Sequence, residues 1–101
     1  MAGVVISSAA DADSAEIVAY LARKAGRATA AKYNGLFEHL YDRLTDHPEA
    51  CPPRGALGPN IRIGIVPPYI VIYDYDQAAD LVTILRIVHG RRRITGKLLS
   101  E

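Results

Sequence analysis

The sequence of 101 residues has one cysteine, one methionine, one phenylalanine and no tryptophan. A lone Cys51 makes no intrachain disulfide and has no metal-ligand spacing with any of the three histidines. A disulfide-stapled fold and a zinc ribbon are therefore excluded, and a reducing, cytoplasmic setting is expected. No apolar run approaches the roughly 18 residues of a membrane span, and Met1 to Ile6 carry no basic segment ahead of a long apolar stretch. Neither membrane insertion nor secretion is expected. An excess of one charge is also missing: the formal net charge is +1, which argues against a protein that coats nucleic acid in bulk. A phosphate-binding glycine loop, a CxxC pair, an HExxH helix and a Ser/His/Asp set are all absent, so no cofactor or metal is expected.

Half of the residues are apolar and 23% are charged, the balance of an ordinary globular chain, and the length suits one domain over residues 1–101. The near-neutral average hides an asymmetry. Residues 1–50 hold five Lys/Arg against seven Asp/Glu, whereas residues 51–101 hold seven against four. After Asp80 come Arg86, Arg91, Arg92, Arg93 and Lys97, with no acid before Glu101, so the tail reads as a basic pole.

Val4, Val5 and Ile6 read as a short strand. Asp13 precedes Glu16 by the spacing of a capping box, which predicts a helix beginning there, with Ile17, Val18, Tyr20, Leu21 and Ala25 as its stripe and Gly26 as its stop. Thr29 is placed to open a second helix, in which Tyr33, Leu36, Phe37, Leu40, Tyr41 and Leu44 recur at helical spacing until Asp46-His47-Pro48. The two form an antiparallel hairpin. Residues 47–59, with four prolines and two glycines, connect it to three strands around Ile61–Val66, YIVIYDY and LVTILRIVH, separated by Pro67-Pro68 and by Asp76 to Asp80. The expected fold is α+β: a short N-terminal strand and a helix hairpin packed on a three-stranded antiparallel meander. The tail after Gly90 reads as a short helix or a flexible arm.

Alternation places Arg86 on the face of its strand shared with Val82, Ile84 and Val88, and His89 with Leu85 and Ile87. Arg62 is the one charge in its strand and is expected on the sheet face that the helices leave open, with Gly64 giving it room. Arg91, Arg92 and Arg93 present three planar forks able to grip phosphate, carboxylate or an acidic protein surface. Tyr69, Tyr73 and Tyr75 line one side of the central strand, and Tyr20, Tyr33 and Tyr41 lie on the helices, a pattern of core packing with polar rims. Asp74, Asp76 and Asp80 read as turn formers.

Taken in order, SSAADADSAEIVAYLARKAG with A-x-x-Y after it, L-x-x-HP at 44–48, YIVIYDYD at 69–76 and VTILRIVHGRR at 82–92 resemble the RelE/ParE toxin superfamily of type II toxin–antitoxin modules, and the last segment resembles ParE members in particular. The resemblance implies a toxin neutralised by a cognate antitoxin encoded beside it. A ParE-like protein would inhibit DNA gyrase; a RelE-like one would cut messenger RNA on the ribosome. Arg62, Arg86 and His89 are the candidate catalytic set of the second reading. RelE-like enzymes carry lysines near the first meander strand and a tyrosine in the C-terminal segment, and this chain has neither, so the gyrase reading is favoured. On it, Arg86, His89, Arg91, Arg92 and Arg93 are the expected target-binding residues, and Val18, Tyr20 and Tyr41 on the hairpin are expected to receive the antitoxin. A third possibility is a toxin-like fold retained only as a binding partner.

Overall fold

The computed structural model describes residues 1–92 and 94–99. In chain order these form β1 (Gly3–Ile6), α1 (Ser8–Ala25), α2 (Arg27–Asp46), β2 (Ile61–Val66), β3 (Tyr69–Asp76), β4 (Leu81–His89) and α3 (Gly96–Leu99). The strands make one sheet in the order β1-β4-β3-β2. β2, β3 and β4 are the expected antiparallel meander, and β1 pairs parallel with β4 from Gly3↔Leu81 to Ile6↔Ile84.

The first helix begins six residues earlier than the Asp13–Glu16 spacing predicts. Ser7 is its N-cap, with Oγ accepting from Ala10 N at 3.0 Å. Asp13 lies inside the helix and is committed elsewhere. Gly26, at φ 96°, ends α1 as expected and is also the N-cap of α2, so one residue separates the helices and α2 starts at Arg27 instead of Thr29. Arg23 and Lys24 in the last turn of α1 complement its dipole. Arg27 in the first turn of α2 opposes that of its own helix, and no acid offsets it there.

Both helices pack on one face of the sheet. Phe37, Leu40 and Leu44 of α2 and Ala10 of α1 meet Val66, Tyr69, Val71, Tyr73, Val82, Ile84 and Ile87 in the main core. Side chains of this size stabilise by about 1.5–3 kcal/mol each on full burial. Gly64 belongs to this layer, since a Cβ there would stand 3.1 Å from Leu40 Cδ2 and 3.3 Å from Cys51 Sγ. The opposite face is partly covered by the chain's own end: Ile94, Leu98 and Leu99, with Leu57 of the long loop, pack over Ile61, Ile72 and Val88. The tail is thus a short helix seated on the sheet.

Two expectations about strand faces are corrected. In β4 the register against β3 slips by one residue, Ile72 facing Arg86 but Tyr73 facing Ile84, so Leu85 is the extra residue of a β-bulge. The bulge resets the alternation. Val82, Ile84 and Ile87 all face the helices, and Arg86 with Val88 faces the other way. Arg62 lies beneath the loop on the helix side, in register with Tyr73, and not on the open face. Its Nη1 donates to the carbonyls of Glu49 (3.1 Å) and Cys51 (2.7 Å), while Nη2 stands 3.7 Å from Glu49 Oε2. The same loop pairs with the β2 edge through Arg54 N to Ile61 O and Ile63 N to Pro52 O. It is fixed further by Tyr73 Oη donating to Pro48 O at 2.9 Å.

Candidate functional site

β1 covers β4 only as far as Ile84; Ser7 then turns the chain into α1, and among the described residues no strand follows β1 along that edge of the last part of β4, whose other edge stays paired with β3. Side chains of the turn and helix take the place of that strand. Ser7 N donates to Ile84 O (2.9 Å) and Ser7 Oγ to Leu85 O (3.0 Å). Two turns along α1, Asp13 Oδ2 accepts from Ile87 N at 3.0 Å. Asp13 also receives the guanidinium of Arg86 as a fork, Nε to Oδ2 at 2.8 Å and Nη2 to Oδ1 at 3.1 Å, while Nη1 reaches Leu98 O at 3.1 Å. The two side chains are 13% and 15% exposed, so the pair is largely removed from water. Arg86 therefore ties α1, β4 and the tail helix together.

Past this clasp a groove of about 390 Å³ opens between α1 and the ends of β3 and β4. Ile17, Tyr20, Tyr69 and His89 line it, with Arg23 and Arg92 among the bordering residues and Glu16 on the α1 wall. Tyr69 is the hub: its ring meets those of Tyr33, Phe37 and His89 edge-on at 5.7, 5.8 and 5.9 Å. Burial, then the neighbouring hydroxyls of Tyr33 and Tyr20, push the Tyr69 phenol above its ordinary value. His89 Nδ1 accepts from Arg91 N at 3.1 Å, which leaves Nε2 as the protonated nitrogen of the neutral ring.

The residues singled out from sequence are thus divided. His89 and Arg92 share the groove, Arg91 adjoins it, and Arg93 lies outside the described residues. Arg86 is spent on Asp13 and Leu98, and Arg62 on the loop. Arg62 and His89 are two strands apart and pair with positions of β3 four residues apart, Tyr73 and Tyr69. Their backbones are therefore roughly 16 Å distant by sheet spacing. Tyr20 lines the groove at one end of the hairpin. Tyr41 lies toward the other end, where burial first and then the carboxylates of Asp11 and Glu38 push its phenol up to about 12. Asp11 and Tyr20 are nine residues apart on α1, about 13 Å along its axis, so Val18, Tyr20 and Tyr41 do not form one spot. Among the described residues no group of three or more His, Cys, Asp or Glu is placed to hold a metal ion. Arg23 and the double role of Asp13 were not read from the sequence. The signal for Arg23 was the stretch 17–37, which has no acid at all.

A strand running into a helix hairpin, backed by a meander whose last strand receives the first in parallel, is the α+β fold of RelE/ParE-like toxins. It is shared with the solved chromosomal ParDE TA system from P. aeruginosa at a TM-score of 0.72 and 19% identity, covering 88% of this chain and 96% of that one. No curated protein sequence matches the chain. Residues 4–94 match the family described as ParE toxin of type II toxin-antitoxin system, parDE. The chain belongs to that family. No helix among the described residues is long and apolar enough to cross a membrane.

Proposed function

We propose that this toxin acts in the cytoplasm by inhibiting DNA gyrase, and that a cognate antitoxin encoded beside it keeps it inactive. The observation that carries the gyrase reading over message cleavage is the dispersal of the ribonuclease candidates. Arg62 and Arg86 are held by internal partners, and Arg62 is two strands away from His89. A phosphoryl-transfer site needs its cations and its proton carrier around one atom. The surface offered to gyrase is the exposed end of β4, with His89, Arg91 and Arg92 and the adjoining Arg93. An antitoxin segment that touches both Tyr20 and Tyr41 has to run along the helix hairpin, an arrangement that suits an amphipathic partner.

Purified toxin, free of antitoxin, is expected to inhibit gyrase supercoiling or to trap cleaved DNA, and the Arg91→Ala/Arg92→Ala variant is expected to lose most of that effect while remaining folded. Normal supercoiling at excess toxin overturns the reading. Messages cut at defined codon positions on induction, and spared by His89→Ala, would replace it with the ribosomal one.

A further inference from the structure

The basic pole is larger than the tail, and the groove lies between its two parts. Nine of the twelve Lys/Arg fall in two stretches without acids, residues 17–37 and 81–99. The fold brings these stretches to the same end of the molecule. The first supplies Arg23, Lys24, Arg27 and Lys32 around the hairpin tip, all exposed; the second supplies exposed Arg91 and Arg92. They are joined by a row of ring contacts, with Lys32 Nζ 6.0 Å over Tyr33, Tyr33 against Tyr69, and Tyr69 against His89. Helix stability accounts for Arg23 and Lys24 at a C-terminus, but not for Arg27, which stands against the dipole of α2.

We infer that this groove and its rim bind single-stranded DNA, the phosphates lying along Arg23 and Arg92 with the hairpin-tip cations behind them, and an unpaired base entering against Tyr20 and His89. Cationic rims with aromatic side chains between them are what sequence-tolerant single-strand binding requires. A duplex keeps its bases stacked inside and would meet only the rim. The groove volume of about 390 Å³ falls within the range of small-ligand sites. Asp13 is neutralised by Arg86, which leaves Glu16 as the wall's other acid, working against phosphate. The choice of DNA over RNA rests on the gyrase reading; the groove's fit to a polynucleotide does not.

The test is fluorescence anisotropy of labelled oligo-dT of about twelve nucleotides, titrated with the full chain at about 50 and 200 mM salt, conditions over which phosphate contacts weaken binding strongly. Expected are micromolar or tighter binding at low salt, weaker binding to a duplex of equal length, and a steep salt dependence. Arg23→Ala/Arg92→Ala should weaken binding at least tenfold and flatten the log–log salt slope by about 1.4, two phosphates' worth on a single strand. Tyr20→Ala should weaken it several-fold without changing the slope, and Glu16→Gln should tighten it about twofold or more. Circular dichroism checks that each variant folds. No binding at low salt, equal binding of duplex, or tenfold preference for oligo-U overturns the inference. So does displacement of the dye-labelled oligomer by a poly-glutamate peptide at equal charge concentration, which marks a protein-binding site. Gyrase inhibition by the same preparations is scored separately. Inhibition without DNA binding removes this inference alone, and DNA binding without inhibition removes the gyrase reading alone.

Discussion

Arg86 and Asp13, 73 residues apart in the chain, meet as a fork and a carboxylate, Nε to Oδ2 at 2.8 Å and Nη2 to Oδ1 at 3.1 Å. The same Oδ2 holds Ile87 N, so one carboxylate both neutralises a shielded cation and closes a bare strand edge. Asp13→Ala should therefore cost about 3 kcal/mol, measured by urea unfolding, because it strands the arginine and the amide together. Asp13→Leu/Arg86→Met should recover much of that loss, since the charge and its partner leave together. A single-variant loss under ~1 kcal/mol would put the pair among surface ion pairs, which stabilise little.

Ser7 has two tasks, accepting from Ala10 N as the cap of α1 and donating to Leu85 O at the bulge. Ser7→Ala is expected to cost about 1–2 kcal/mol. Ser7→Asp keeps the acceptor and drops the donor, so its thermal midpoint should fall between those of the wild type and the alanine variant.

Gly64 lies where the sheet and α2 approach each other, with Leu40 and Cys51 in the way of any Cβ. Gly64→Val should destabilise by about 1–3 kcal/mol through overpacking. Adding Cys51→Ala should return part of it, because one of the two obstructing groups is then removed. Equal stability of Gly64→Val and Gly64→Val/Cys51→Ala would show that Leu40 alone sets the cost.

Stability should fall as pH rises from 10 to about 12, and Tyr41 is one cause. Below pH 10 both folded and unfolded chains keep the phenol proton. Above it the unfolded chain releases the proton while the folded one holds it, so the native state binds more protons and rising pH favours unfolding. Tyr41 is only partly buried, which reduces its share to on the order of 1 kcal/mol. Tyr41→Phe should flatten the alkaline slope measurably. Tyr69 and Tyr73, also pushed up by burial first, should leave a residual slope in the same direction.

Much of this architecture is legible in the chain because its period changes once, from helical spacing through Leu44 to alternation from Ile61, with Gly26 and the proline-rich loop as punctuation. The departures from the sequence pattern come from features that periodicity does not carry. Ser7 and Asp13 are both good caps, and the choice between them is made by the strand edge they serve. One unpaired residue, Leu85, moves Arg86 to the opposite face from Ile84, and no local pattern announces a bulge in a run so rich in β-branched residues. A lone charge in a strand is expected to seek solvent on the open face; Arg62 finds carbonyls of the folded-over loop instead. The groove was half visible. Its basic tail stood out, whereas the hairpin tip was hidden in an N-terminal half whose sum is negative.

The pairing of β1 with β4 also sets a timetable. The first strand has no partner until residues 81–84 have been made, roughly 4–16 s later at ordinary elongation rates of about 5–20 residues per second. Until then the hairpin waits beside an unfinished sheet, and long-range pairings of this kind close late. His89 and the arginines after it follow those partner residues in the chain. The surface proposed to meet the target thus cannot form before β4 has been made, and the sheet that carries it is completed by its own first strand.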